Sequence, residues 1–316
     1  MSTRHTLLDP ELVEVTPGVF GYIQHDGSWM VNNTGVITGD DGSYLLVDTT
    51  STEARNRALL AAVEKITAKE IDADPPRALV NTHHHGDHTF GNWLMPARTP
   101  IVGHVTCRED VLAAGLVAAQ MLTGPDYGQI ELRPPDVTFT GSMTLHLGNR
   151  LVELHHVGPA HTRSDVVVWL PEERVLFSGD IVFAGGQPFL VEGSVAGYPK
   201  GLAAIRALAP EILVPGHGPV CRGDGVGRVL DDLTEYAAFV ADIGRAGHAA
   251  GQTPLEAATA ARDNRFAGWQ ESERLVGNLH RAYSELDGNP IGTRIPLGAV
   301  WADMVALNGG PIGCFA

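Results

Sequence analysis

Short apolar runs with β-branched and aromatic residues, interrupted by Gly, Asp or Asn, dominate the first two-thirds of this chain. Val13-Glu14-Val15, Val19 to Ile23, Asn33 to Ile37 and Ser43 to Asp48 read as strands, because such side chains suit a pleated surface and the intervening Gly/Asp positions suit turns. A second block repeats the pattern at Pro135 to Phe139, Met143 to Leu147, Leu151 to His155 and Asp165 to Trp169. Elsewhere the spacing is helical. Ser51 to Ile66 puts Leu59, Leu60, Val63 and Ile66 on one face, with Thr50 or Ser51 as cap, and Cys107 to Gln120 predicts a further helix. Beyond Arg222-Gly223-Asp224-Gly225, one stripe runs through Val226, Val229, Leu230, Leu233, Ala237 and Val240. Another joins Leu275, Leu279, Ala282, Tyr283 and Leu286. The pattern is consistent with an α+β chain: two sheets packed face to face with helices outside over residues 1–224. A helical region, 225–316, then packs on the same core. Those stripes are what core packing requires, and such a region either walls a cleft or forms a homodimer contact.

Composition narrows the function classes. At 316 residues and 44% hydrophobic content the chain suffices for one large core, or one core with a small appendage. A formal net charge of −15 argues against nucleic acid as partner, because a phosphate backbone needs a cationic face. No apolar run reaches membrane-spanning length. Cys107, Cys221 and Cys314 are too few and too scattered for a disulfide framework, and Cys221, although near His217 in sequence, reads as a spectator. The first ten residues lack the long apolar stretch of a signal peptide, so a cytoplasmic protein is expected.

The chemistry concentrates at Asn81-Thr82-His83-His84-His85-Gly86-Asp87-His88. Imidazole and carboxylate are the groups a divalent ion of zinc type takes when thiolate is absent. The run follows the strand-like Arg77-Ala78-Leu79-Val80, and the turn at Gly86 splays side chains towards two points. His83 and His85 then serve one ion, Asp87 and His88 another, while His84 points away. Three further segments share this arrangement of an apolar strand and then a Gly-containing turn with one His or Asp. They are Gly158-Pro159-Ala160-His161, Ser178-Gly179-Asp180 and Gly216-His217-Gly218. Asp48 ends a strand and reads equally as an acceptor orienting a ligand imidazole or as a helix cap. His104, His146, His155 and His156 read as packing or surface residues, with His156 the substitute should His161 lie too far away.

This pattern resembles the metallo-β-lactamase superfamily, whose fingerprint is His-x-His-x-Asp-His followed by a His, a bridging Asp and a final His. The resemblance implies an αββα sandwich with a helical C-terminal extension. It also implies two zinc ions, iron and manganese being compatible with the same donors. His83, His85 and His161 would hold one ion, Asp87, His88 and His217 the other, and Asp180 would bridge them. No Cys occupies a ligand position, unlike the Cys-containing lactamases. His85 stands where the flavo-di-iron branch has Glu, and no inserted domain of the nuclease type separates the last motifs.

Longer segments resemble the zinc-dependent bacterial aromatic polyketide cyclases of actinorhodin-type pathways. They are Ile130 to Pro135, Val166 to Phe177, Gly193 to Gly197, Leu275 to Ala282 and Asn308-Gly309-Gly310. That resemblance implies an enzyme that closes a second ring by intramolecular aldol condensation of a poly-β-ketone carried by acyl carrier protein, then hydrolyses the thioester. Asp87 and Asp180 would be the proton acceptors. Trp29, Met30, Phe183, Phe189, Leu190 and Tyr198 are the expected wall of an apolar pocket. Arg108, Arg133 and Arg222 are the expected contacts for the acidic carrier protein. The alternative is a general metallo-hydrolase of thioester, lactone or lactam substrates.

Overall fold

The computed structural model describes residues 9–316, so the reading of the first ten residues as leaderless lies almost wholly outside it. Seven strands form the first sheet in chain order: β1 (Glu11–Thr16), β2 (Val19–Ile23), β3 (Thr34–Thr38), β4 (Tyr44–Val47), β5 (Leu79–Val80), β6 (Ile101–His104) and β7 (Val137–Phe139). β1 to β4 pair antiparallel through short turns, and β4 to β7 pair parallel because helical crossovers separate them. The second sheet contains β8 (Ser142–Leu147), β9 (Arg150–His156), β10 (Val166–Leu170), β11 (Val175–Phe177), β12 (Ile212–Val214) and β13 (Cys221–Arg222), side by side in chain order.

Strand alternation assigns each face. In β4, Leu45 and Val47 enter the core between the sheets, whereas Tyr44 and Leu46 face outward onto Leu59 and Val63 of α1 (Glu53–Thr67). In β10, Val166, Val168 and Leu170 point to the inner core, while Val167 and Trp169 join the opposite, helix-covered face. Helices therefore lie outside both sheets, which is the αββα order expected. Gly35 of β3 lets the sheets approach closely: a Cβ there would stand 2.5 Å from the Phe177 ring.

Two helical expectations shift. Helix α1 begins after Thr52, whose hydroxyl accepts from the Arg55 amide at 3.3 Å, so neither Thr50 nor Ser51 is the cap. The helix expected from Cys107 to Gln120 is two, after the four-residue α2 (Gly86–Thr89): α3 (Val105–Ala114) and α4 (Val117–Met121). They separate at Gly115, whose φ of +57° leaves the helical region.

The later helices are α5 (Tyr198–Leu208), α6 (Asp224–Ala249), α7 (Pro254–Ala260), α8 (Arg274–Leu286) and α9 (Leu297–Asn308). Leu286 of the second predicted stripe is exposed and Val229 and Tyr283 are half-buried, but the rest of both stripes is buried: Val226, Leu230, Leu233, Ala237 and Val240 on α6, and Leu275, Leu279 and Ala282 on α8. They share one apolar cluster with Val167, Trp169, Leu176 and Leu213 of the second sheet. No helix among the described residues is long and apolar enough to cross a membrane.

The Gly35 contact gives a stability prediction. Gly35→Ala should destabilise the protein by about 1–3 kcal/mol, since the buried Phe177 ring has no room to move. Urea unfolding measures it, and an unchanged midpoint would contradict the packing described.

Candidate metal centre and its cavity

Strand ends carry the site. The first sheet contributes β5, after which the chain runs through His83 and His85 into α2 with Asp87 and His88. The second contributes the ends of β9, β11 and β12, followed by His161, Asp180 and His217 respectively. Since β9 and β11 both pair antiparallel with β10, and β12 runs parallel to β11, these three ends lie at one edge. Residues separated by more than a hundred positions thus converge.

Asp180 is the hub. Its Oδ1 lies 3.1 Å from His88 Nε2, and its Oδ2 lies 3.2 Å from His217 Nε2, 3.4 Å from His161 Nε2 and 3.8 Å from His83 Nε2. His161 Nε2 and His85 Nδ1 are 2.9 Å apart. Asp87 Oδ2 lies 3.3 Å from His217 Nε2 and 3.7 Å from His88 Nε2. Besides a smaller group of His84, His85 and Glu192, two groups contain Asp180, His83/His85/His161/Asp180 and Asp87/His88/Asp180/His217, each with ligand atoms within 4.8 Å of one another. All seven residues expected from the sequence are in these groups, with Asp180 common to both.

The donors fit a pair of cations. His83 Nε2, His88 Nε2 and Asp180 Oδ1 are buried without a hydrogen-bond partner, a state that costs roughly 1–3 kcal/mol per group unless something binds there. Three outward ring nitrogens are already tied, which fixes the direction of their inward nitrogens, whereas His161 Nδ1 has no hydrogen-bond partner. His88 Nδ1 meets Asp48 Oδ2 at 2.8 Å, His217 Nδ1 donates to the Gly27 carbonyl at 3.1 Å, and His85 Nε2 meets Glu192 Oε2 at 2.9 Å. Asp48 also accepts from the Thr82 amide at 2.8 Å and the Thr82 hydroxyl at 2.7 Å. Its open assignment is thereby decided: it orients His88 and caps no helix. The partner of His85, Glu192, was missed because a lone Glu after a loop carries no sequence signal.

Electrostatics agree. Burial pushes His83 and His161 well below the usual imidazole range, leaving neutral rings with free lone pairs. Burial opposes charge on His88 and His217 too. Asp180 and its fellow carboxylates outweigh it, raising His88 well above the usual value and His217 to about 9. Burial likewise opposes charge on Asp87, yet His88 and His217 hold its pKa down at about 2. Positive charge is thus required here, and a metal would supply it in place of protons.

A cavity of about 100 Å³ opens on these groups. Trp29, Met30, Phe183 and Phe189 line it as expected. Trp29 and Phe189 meet edge to face at 5.2 Å, and the Arg274 guanidinium sits 4.0 Å from the Trp29 ring centre. Leu190 and Tyr198 are absent from the wall. Leu190 is fully buried in the apolar cluster, its amide donating to Asn278. Tyr198 opens α5 with its hydroxyl donating to the Ile181 carbonyl at 2.7 Å. Sequence reading missed the opposite wall, Leu297, Val300, Trp301 and Met304 of α9, although their i, i+3, i+4, i+7 spacing was available.

Other residues sit apart. His156 stacks on His104 at 3.8 Å, leaving His161 as the ligand candidate, and His155 pairs with Glu153. Cys221 is half-buried and unpaired. Arg108, Arg133 and Arg222 each donate to backbone carbonyls, of Pro135, of Met95 and Thr99, and of Val15 respectively, so each ties a loop.

The sequence profile of the metallo-beta-lactamase superfamily matches residues 27–217. A metallo-beta-lactamase type 2 from Bacteroides fragilis is 24% identical over 66% of this chain and 80% of its own length. A probable hydroxyacylglutathione hydrolase from Schizosaccharomyces pombe is 28% identical over 57% of this chain, which spans 64% of that relative. Among solved structures, a stereoselective inverting sec-alkylsulfatase from Pseudomonas superposes with a TM-score of 0.67 at 18% identity, covering 87% of this chain and 50% of that one.

Asp48→Asn should lower zinc affinity about 10–100-fold, because His88 loses the acceptor that orients it. Competition with a chromophoric chelator measures this, and unchanged affinity would return Asp48 to a purely structural role.

Proposed function

The chain belongs to the metallo-β-lactamase superfamily, and on that premise we propose that it hydrolyses acyl thioesters, with two zinc ions held by the seven His and Asp residues. One observation carries this reading: two ligand groups sharing Asp180 stand at the floor of an aromatic cavity. The curated relatives named hydroxyacylglutathione hydrolase support it, their names describing hydrolysis of a thioester. Imidazole and carboxylate donors without thiolate suit zinc, and also iron or manganese.

When bound, such a pair of ions supplies Lewis acidity and lowers the pKa of water towards neutrality. The chain's own residues do the rest. Trp29, Phe189, Trp301 and Met304 seat the acyl group and exclude bulk solvent. Asp87 and Asp180 line the cavity floor, where a carboxylate oxygen takes a proton from the attacking water. The water oxygen bonds to the carbonyl carbon, the carbon–sulfur bond breaks, and that proton passes to the departing sulfur.

A second reading draws on the same wall. An aromatic, apolar cavity suits a folded poly-β-ketone, and the polyketide-cyclase resemblance of Leu275 to Ala282 falls on α8, which contributes Arg274 and neighbours α9. On this reading Asp87 or Asp180 removes a proton from the carbon between two carbonyls. That carbon then bonds to a ketone carbon of the same chain as the ketone's C=O π pair moves to its oxygen, which takes the proton from the carboxyl to give a hydroxyl, before the thioester to acyl carrier protein is hydrolysed. The protein would act in the cytoplasm, where carrier-protein thioesters are made.

Zinc-loaded protein should release thiol from thioesters of glutathione and of N-acetylcysteamine, and strong chelation should abolish this reversibly. His85→Ala and Asp180→Ala should lose bound metal and lower the rate more than about 100-fold. A chelated protein or metal-depleted variant retaining full turnover would refute the proposal. A β-keto thioester mimic separates the readings: a cyclised aromatic product favours the cyclase, a linear acid the plain hydrolase.

A further inference from the structure

Behind the metal centre lies a second cavity of about 220 Å³, which shares Val117, Glu192 and Leu297 with the first. Its lining differs in kind. Three guanidiniums, Arg163, Arg281 and Arg294, face two carboxylates, Asp110 and Glu192. Asp110 holds Arg163 by two contacts of 2.7 Å and Arg294 by one of 3.1 Å. Glu192 is engaged by His85 at 2.9 Å and by His84 at 3.4 Å. His84, the member of the triple-His run that turns away from the metal groups, thus lines the second cavity.

Arg281 has no such partner. It is 1% exposed, its Nε and Nη2 both donate to the Val191 carbonyl, and its Nη1 is buried with no hydrogen bond. Among the described residues no carboxylate lies within ion-pair distance of it, although Glu285 and Glu192 act on it through space. A guanidinium removed from water with an open donor is costly until an acceptor completes it, and an anion makes the strongest such bond. The metal groups and aromatic wall make no use of it.

We infer that this cavity binds an anionic group of the substrate, carboxylate or phosphate, with Arg281 Nη1 as principal donor. The inference rests on the thioesterase reading and refines it. Because the two cavities share Val117, Glu192 and Leu297, a thioester with its carbonyl at the Asp180 floor would extend past these residues towards Arg281. Selectivity for charged thioesters over neutral ones then comes from a site separate from the aromatic wall.

The test uses one acyl group on three thiols: neutral N-acetylcysteamine, 3-mercaptopropionate carrying a carboxylate, and 4′-phosphopantetheine carrying a phosphate. Calorimetric titration of the matching thioether analogues, which cannot be hydrolysed, accompanies the kinetics. At least one anionic arm should bind and show KM at least ten-fold better than the neutral arm, the better arm identifying the anion. R281M should abolish that advantage while leaving neutral-thioester turnover intact. Equal affinity across the three arms, or an advantage that survives in R281M, overturns the inference and leaves the thioesterase reading standing. Arg281-dependent anion binding without hydrolysis of any thioester would support the cavity and sink the reaction. If R281M does not fold, Ala114→Trp, which fills the cavity beside an intact Arg281, decides by the same comparison.

Discussion

Asp180 is a carboxylate withdrawn almost completely from solvent and surrounded by the Nε2 atoms of four imidazoles. Burial of that charge is tolerable only with positive charge around it, and much of the surrounding architecture serves this need. The carboxylates favour the protonated forms of His88 and His217, while burial favours neutral His83 and His161. Such a mixture of charged and neutral rings around two carboxylates is poised to exchange protons for metal ions. Rigidity comes from the strand ends on which the groups stand and from the acceptors behind them, Asp48, Gly27 and Glu192.

Around this polar centre the fold divides labour between its halves. The sheets and their inner core set the positions of the ligands. The helices from Asp224 onward build the cleft through α9 and present Arg274 and Arg281 from α8 to two different cavities. The ligands thus stand on the sheets while the helical region completes the cavity wall, and the superfamily's members carry names that describe different reactions.

The strands and the candidate ligand side chains were legible in the sequence because both depend on local pattern, whereas the αββα order was implied by the family resemblance. Two-residue alternation sets which face of β4 or β10 is buried, whatever lies opposite. A His or Asp in a glycine-containing turn after an apolar strand is a local feature too, and it recurs four times. The α1 cap and the break at Gly115 were less legible, since they turn on individual hydrogen bonds and dihedrals.

What the chain alone determined was thus the identity of the groups and the kind of element each follows. Only the tertiary structure decided which groups meet. Glu192 behind His85 and Arg281 beside the second cavity depend on pairs of residues some 90 to 110 positions apart, for which no local pattern exists. The same holds for the cavity wall. Phe189 and Leu190 are adjacent apolar residues, yet one lines the cleft and the other is buried in the packed cluster. Side-chain direction in an irregular segment is set by what packs against it, and that partner, α8 with α9, lies a hundred residues downstream.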